Sequence, residues 1–330
     1  MSSNDNIVQI GLASDERYYP GLFATAVSMA KFADESVKLV FNIIDGGIEF
    51  DEMRRLISSI REFHTDSEIN LFKLSDIKSN LFPSKMNYAR LLLPRLLSHV
   101  DHLIYCDVDF LWMANISQLW KLRNEGFFIQ STQDIGFTQM SEARWLSKKG
   151  IEINPERYFC SGLLLMNLKL FRMYDIDRKL SDFIKTHSDI PLFDQTALNA
   201  ILLPMDKGVD MLPAQWQRNA LLVSDSDFLS PMAIHFSGLC PWARMRVIPD
   251  IVVLWMRTMA DLQKRNFGEI RCQYYGILKY YIGRIIFFFL CMPFFKNFVV
   301  LFTKSMRGTG YSLYVRAILR HINIKKTSIR

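Results

Sequence analysis

Apolar positions change period repeatedly along the first 110 residues, and each change marks a new element. "IVQIGLA" (7–13) is a short, β-rich apolar run. "YPGLFATAVSMAKFA" (19–33) has helical spacing, with Pro20 and Gly21 near its start. "VKLVFNIID" (37–45) reads as a second strand and "DEMRRLISSIREF" (51–63) as an amphipathic helix. "INLFKL" (69–74) is a third strand, "MNYARLLLPRLL" (86–97) a helix interrupted at Pro94, and "HLIYCDVDF" (102–110) a fourth strand. This βαβαβαβ rhythm predicts an α/β layer fold with a largely parallel sheet. Beyond residue 110 the rhythm loosens. "FFIQST" (127–132), "CSGLLLMNL" (160–168) and "MAIHFSG" (232–238) read as buried strands, and "DQTALNAILL" (194–203) as a helix with Asp194 placed to cap it. The polar stretch 133–157 lacks a period and predicts a long loop or short helices where substrates often bind.

Composition narrows the class. The chain has 330 residues, half of them apolar, enough for one long domain or one domain plus an appendage. With 22% charged and 13% aromatic residues it is not a disordered polymer. Five widely spaced cysteines, an odd count with no CxxC, argue against a disulfide scaffold or a structural zinc site. The opening "MSSNDN" has no basic segment and no long apolar stretch after it, so no signal peptide is expected and the expected compartment is a reducing cytoplasm.

The net charge of +7 conceals a division. Residues 270–330 hold 11 of the 40 Lys and Arg and no Asp or Glu, leaving 29 basic against 33 acidic side chains in residues 1–269. A slightly acidic body thus carries a strongly basic tail. Within the tail, "YYIGRIIFFFLCMPFFKNFVVLF" (280–302) is very apolar, yet its longest uncharged stretch, 285–295, is 11 residues. A spanning helix needs about 20. The expected behaviour is an interfacial segment, aromatics in the acyl boundary and cations on an anionic membrane surface. A tail helix packed on the body is the alternative. No nucleic-acid partner is expected, since no recognised module surrounds the charge.

Candidate chemistry begins with Asp107-Val108-Asp109 at the end of the fourth strand. In a strand, residues i and i+2 share a face, so two carboxylates could grip one divalent cation, which then bridges phosphate oxygens. Carboxyl ends of strands are where open α/β sheets bind ligands. Two solvated acids at a strand end are the plain alternative. His235 in "AIHFSGLCPW" is either a satisfied core histidine or a third ligand, which would favour manganese over magnesium. Gly238 with Pro241-Trp242 marks a tight loop whose N–H groups could face a diphosphate. Arg90 is either an ordinary exposed helix residue or a partner for a carboxylate or phosphate. Asp194 is most simply a cap.

The ordered set "YARLLLP … YCDVDFLW … ISQLW … YFCSGLLLMNL … FDQTALN … IHFSGLCPW" resembles glycosyltransferase family 8 over roughly residues 7–245. Within it, the chain is most similar to bacterial lipopolysaccharide core α-glucosyl- and galactosyltransferases, which carry a basic, aromatic extension. The resemblance implies a GT-A fold, a Rossmann-like nucleotide-diphospho-sugar transferase of residues 1–250. A helical, basic, aromatic membrane-associating region would occupy 251–330. It implies Mn²⁺ or Mg²⁺ held by Asp107, Asp109 and His235. Ala13, Ser14 and Asp15 would hold uracil and ribose, Arg90 would lie near the donor sugar and diphosphate, and Val108 and Gly238 join the donor-binding positions. Asp134 would lie near the sugars, with Asp194 and Gln195 beside the reacting carbon. The implied partners are UDP-glucose or UDP-galactose and a lipid-linked lipopolysaccharide core acceptor. The implied place is the inner face of the bacterial inner membrane.

Three positions depart from the family pattern. Cys160 stands where Asn is usual. "HFSGLCPW" is one residue shorter than HxxGxxKPW and lacks its Lys, so that phosphate contact falls to Arg244 or Arg246 or is absent. Arg17 stands near where a small polar residue is common. Retention of anomeric configuration requires a β-face nucleophile or attack from the leaving-group side. The weakly basic amide of Gln195 favours the second. Other readings are self-glycosylation, a different acceptor, a nucleotidyltransferase (which lacks its Gly-rich phosphate signature here), and a non-catalytic peripheral membrane protein.

Overall fold

The computed structural model describes residues 6–78, 80–83, 85–134, 141–220, 231–238, 240–243 and 250–274. Strand β1 (Ile7–Ser14) leads through a short 3-10 turn into helix α1 (Tyr19–Phe32), β2 (Lys38–Asp45), α2 (Phe50–Phe63) and β3 (Ser67–Lys73). A 3-10 helix, Met86–Leu92, then runs into α3 (Leu93–Leu96), β4 (His102–Cys106), β5 (Phe110–Trp112), α4 (Ile116–Trp120) and β6 (Ile129–Ser131). Next come α5 (Ser141–Lys148), β7 (Leu163–Asn167), α6 (Leu168–Met173), α7 (Ile176–Thr186) and α8 (Phe193–Leu202). Three short strands, β8 (Val209–Met211), β9 (Arg218–Asn219) and β10 (Ala233–His235), precede α9 (Asp250–Leu262) and α10 (Phe267–Tyr274).

The main sheet has seven strands in the order β3-β2-β1-β4-β7-β6-β8. Its first half is parallel, with β1 and β2 in register from Ile7↔Lys38 to Ser14↔Asp45. Its second half departs from the expected parallel sheet: β7 is antiparallel to both β4 and β6, while β8 is parallel to β6. The run Leu163–Asn167 is buried on both faces, and such a run carries no signal of strand direction. The segment expected to be a helix broken at Pro94 is a 3-10 helix continuing into α3. Pro94 sits in the first turn of α3, where its missing N–H costs nothing.

Alternation along the strands feeds two cores. Val8, Ile10, Leu12, Ile104, Cys106, Leu163 and Leu165 face one, with α1 and α9. Leu103, Tyr105, Leu164 and Met166 face the other, with Tyr88, Phe171, Leu180 and Leu198. Trp255, Met256 and Met259 of α9 are buried in the first core, beside residues of α1, so the chain just past 250 packs against the body. The expected membrane-associating region is 251–330: its described part, through Tyr274, forms α9 and α10, which contribute Trp255, Met259 and Ile270 to the first core, and 275–330 lies outside the described residues. No helix among the described residues is long and apolar enough to cross a membrane.

The topology places the site. From β1 the chain builds outward to β2 and β3, then returns to lay β4 on the other side of β1. The loops after β1 and β4 therefore leave in different directions, opening a crevice at the carboxyl ends of these strands. The register Gly11↔Tyr105, carried two residues further, sets Ala13 level with Asp107.

Candidate active site

The segment expected to be one continuous strand breaks at its acidic pair. β4 ends at Cys106, residues 107–109 form a bend, and β5 joins a second sheet of order β5-β10-β9. Two backbone bonds pin the bend: Asp107 N–H donates to Gly162 O at 2.7 Å, and Phe236 N–H to Asp109 O at 2.8 Å. Helix α1 buttresses it from below. Thr25 Oγ1 donates to Phe110 O (2.9 Å) and accepts from Phe110 N–H (3.2 Å), and Ser28 Oγ accepts from Trp112 N–H (3.1 Å). The close approach explains Gly21, where an added Cβ would lie 2.3 Å from Val108 O and 2.4 Å from the Trp242 ring. The two carboxylates converge because of this bend, rather than through strand alternation.

His235 comes to them from β10, whose antiparallel pairing sets His235 opposite Phe110. Its ring stacks on Phe110, centroids 4.3 Å apart at 15°. Gly162 covers its edge, and a Cβ there would sit 2.6 Å from His235 Cε1. His235 is 4% exposed. Its Nε2 lies 3.1 Å from Asp109 Oδ1, an ion-pair distance, yet Asp109 Oδ1 makes no hydrogen bond among the described residues. Burial disfavours charge on the imidazole, but Asp109 and Cys160 together outweigh it and raise the His235 pKa well above the usual range.

Arg90 is not an exposed helix residue. It is 7% exposed and bridges two carboxylates, with Nη2 donating to Asp107 Oδ1 at 2.7 Å and Nε 2.8 Å from Asp194 Oδ2. It also donates to Ser161 O, and its guanidinium lies over the Tyr105 ring, 4.5 Å from the centroid. Tyr105 O–H donates to Asp107 Oδ1 at 2.9 Å. Burial works against the guanidinium charge, but Asp107 and Asp194 hold its pKa above the ordinary value. Burial pushes the Asp194 carboxyl up to about 6, with Arg90 opposing and Asp107 adding to the rise. Burial likewise raises the Asp107 pKa, with Arg90 lowering it and Asp109 raising it.

Asp194 is therefore not the helix cap the sequence suggested. Leu192 occupies the cap position with no side-chain bond, Phe193 adopts φ +46°, and Asp194 turns to Arg90. A strong ion pair at a buried position outcompetes a local cap. Gln195, 9% exposed, is fully engaged. Its Oε1 accepts from Ser161 N–H (3.0 Å) and Ser161 Oγ–H (3.4 Å), and its Nε2 donates to Asp134 Oδ2 (3.1 Å). One turn later Asn199 bonds both backbone groups of Phe159, at 3.0 and 2.9 Å.

Of the residues expected at the nucleotide loop, Ala13 and Ser14 end β1, and Asp15 Oδ1 caps the next turn, accepting from Tyr18 N–H at 3.1 Å. Arg17 lies over the Tyr18 ring, 5.8 Å from its centroid. Gly238 adopts φ +73°, as a tight loop requires. No bond joins Asp15 or Gly238 to the Asp107 cluster among the described residues. Arg244 and Arg246 lie outside the described residues. Sequence reasoning missed Tyr105 and Phe110, which flank the acidic pair in "YCDVDF". It also missed Glu142 and Gln217, whose segments carry no periodic or motif signal, and the roles of Thr132 and Gly162, which lie in segments read only as buried strands.

The residues fit a divalent cation. Ligand atoms from Asp107, Asp109 and His235 all lie within 4.8 Å of one another, and the set combines hard oxygen with imidazole nitrogen. The buried Asp109 Oδ1, without a hydrogen bond, faces Nε2 as two ligands of one ion would. A mixed central sheet with flanking helices and acidic ligands at a switch-point crevice defines a GT-A glycosyltransferase fold. The chain belongs to glycosyl transferase family 8, whose pattern matches residues 9–246. It is 28% identical over 263 residues to general stress protein A of Bacillus subtilis, spanning 72% of this chain and 88% of that one. It is 23% identical over 251 residues to a lipopolysaccharide 1,2-glucosyltransferase of Escherichia coli, spanning 69% and 71%. Among solved structures, galactosyltransferase LgtC bound to donor and acceptor sugar analogues superposes with a TM-score of 0.61 at 21% identity, covering 81% of this chain and 100% of that one. The family implies a nucleotide-sugar donor and a sugar acceptor.

Proposed function

We propose that the protein is a retaining hexosyltransferase that moves glucose or galactose from UDP to a sugar hydroxyl of the lipopolysaccharide outer core. The basic, aromatic region 270–330 would bring it to the anionic inner face of the inner membrane. The observation that carries the reading is the three-ligand cluster of Asp107, Asp109 and His235 beside Arg90, Asp194 and Gln195. The similarities to a lipopolysaccharide glucosyltransferase and to LgtC support the acceptor class.

A bound Mn²⁺ or Mg²⁺ would neutralise the diphosphate and make UDP a good leaving group. Asp107, Asp109 and His235 would hold it. Arg90 holds Asp107 and Asp194 in fixed relation, so the ligand side and the sugar side move as one unit. Gln195 Oε1 already accepts two bonds from Ser161, which further weakens an amide oxygen as nucleophile. Same-face attack follows. The acceptor oxygen bonds to the anomeric carbon as its bond to the phosphate oxygen breaks, and the hydroxyl proton passes to that phosphate oxygen.

The test is UDP release by the purified full chain with Mn²⁺, using UDP-glucose and UDP-galactose separately, with and without truncated lipopolysaccharide. Turnover with one donor that requires acceptor, metal and Asp109 supports the proposal and chooses the sugar. Turnover without acceptor, with a hexose-sized gain in protein mass, replaces it with self-glycosylation. No turnover with a competent acceptor overturns the donor or acceptor assignment.

A further inference from the structure

Behind His235, away from Asp109, two buried side chains form a polar relay. Thr132 Oγ1 donates to Gln217 Oε1 at 2.9 Å, and Gln217 Nε2 lies 3.0 Å from His235 Nδ1. Thr132 is 2% and Gln217 8% exposed, so water cannot easily replace either. An amide nitrogen toward the ring suits only a neutral His235 whose proton is on Nε2, facing Asp109, because a charged ring also carries a proton on Nδ1 and needs an acceptor there. An imidazole that ligates a cation through Nε2 needs the reverse: a proton on Nδ1 and an acceptor to receive it. Turning the Gln217 amide by 180° supplies that acceptor. Nδ1–H then donates to Gln217 Oε1, Gln217 Nε2 donates to Thr132 Oγ1, and the Nε2 lone pair faces the cluster. The Thr132 hydroxyl both donates and accepts, so the relay keeps its bonds in both arrangements. Gly162 leaves the space, since a Cβ there would lie 3.0 Å from Gln217 Nε2.

We propose that Gln217, backed by Thr132, is a positioning residue for the cation site: it selects the His235 tautomer that can bind a divalent ion. This rests on the cation reading of Asp107, Asp109 and His235. Its role is indirect, through His235, and it touches neither substrate nor ion.

The test measures Mn²⁺ affinity of the full chain with UDP present, from the electron paramagnetic resonance signal of free Mn²⁺. Gln217→Leu, which keeps bulk and loses the acceptor, is expected to bind about 10- to 100-fold more weakly. Gln217→Glu, always an acceptor, is expected to bind at least as tightly as the native chain. Thr132→Val is expected to lose several-fold. Nitrogen-15 spectra of histidine-labelled protein with UDP and Mg²⁺ should show Nδ1–H at His235, assigned by its loss in His235→Asn, and should not show it in Gln217→Leu. If Asp109→Ala abolishes Mn²⁺ binding while Gln217→Leu binds like the native chain, the Gln217 inference is overturned and the cation reading stands. If the native chain binds no Mn²⁺, or Asp109→Ala binds as tightly as it does, the cation reading itself fails. Should Gln217→Leu not fold, native affinity in Thr132→Val together with tenfold weaker binding in Gln217→Glu overturns the inference.

Discussion

On the α8 side of the cleft the polar side chains are knitted to the protein: Asp194 to Arg90, Gln195 to Ser161 and Asp134, Asn199 to Phe159. Across from them, the Asp109 carboxylate faces His235 Nε2 at 3.1 Å, and no side chain among the described residues donates it a hydrogen bond of good geometry; Asp194 Oδ2 and Arg90 Nε share that feature within their own ion pair. A buried group left unmet costs stability. One wall is closed by contacts within the protein, and on the proposed reading the other takes the cation that comes with the donor. The first positions and the second receives charge. Arg90 belongs to both, through Asp107 and Asp194.

This comparison separates activity from stability. Asp109→Ala, on the receiving wall, should lower UDP release by at least about 10²- to 10³-fold, the scale of losing a preorganised charge partner. Its melting temperature should stay within about 2 °C of the native value, roughly 1 kcal/mol for a chain of this length. A large loss of stability there would show that the receiving wall is structural. Arg90→Met, on the shared hinge, leaves Asp107 and Asp194 buried without a counter-charge. It should cost about 3–5 kcal/mol in urea unfolding, as breaking a buried ion pair does. If Arg90→Met is no less stable than Asp109→Ala, the two walls do not differ as described. Gly162→Ala should act on the receiving wall by geometry alone. A Cβ 2.6 Å from His235 Cε1 forces the ring to move, so Mn²⁺ affinity should fall about tenfold while overpacking costs about 1–3 kcal/mol. Native Mn²⁺ affinity in that variant would mean the His235 ring has room to shift without harm.

The walls also differ in how they could be read from sequence. β1, β2, β3, α1 and α2 were legible because strand and helix periods alternate cleanly there. The acidic pair was legible because it ends an apolar run, but the bend at 107–109 was not, since an acid-x-acid pattern looks the same in a strand and in a turn. Asp194 illustrates the opposite failure. Its position before an apolar helical run suggests a local cap, and only the fold shows Arg90 waiting for it. Thr132 follows β6, Gln217 precedes β9 and Glu142 lies on α5, and only the fold brings these separate segments behind the site. The reversal of β7 was hidden because a strand buried on both faces has no pattern to orient it.

Glu142 provides the finest test of the knitted wall. It is 0% exposed, and its Oε1 accepts from Tyr158 O–H and from Thr196 O–H, the residue after Gln195. Its Oε2 has no hydrogen bond among the described residues. Burial raises its pKa above the ordinary 4.5, with Thr196 and Tyr158 lowering it and Asp134 adding to the rise. The folded chain therefore holds this proton more tightly than the unfolded chain. The resulting stability is complete below the ordinary carboxylate range and is lost as pH rises through the folded value. Glu142→Gln keeps an oxygen for Tyr158 and Thr196 but does not titrate. Urea unfolding from about pH 4 to pH 8 should show the native chain losing stability relative to Glu142→Gln as pH rises, with the gap levelling once Glu142 is ionised. A gap that stays constant over the whole range would mean that ionising Glu142 costs the fold nothing, and that the wall behind Gln195 tolerates a buried charge.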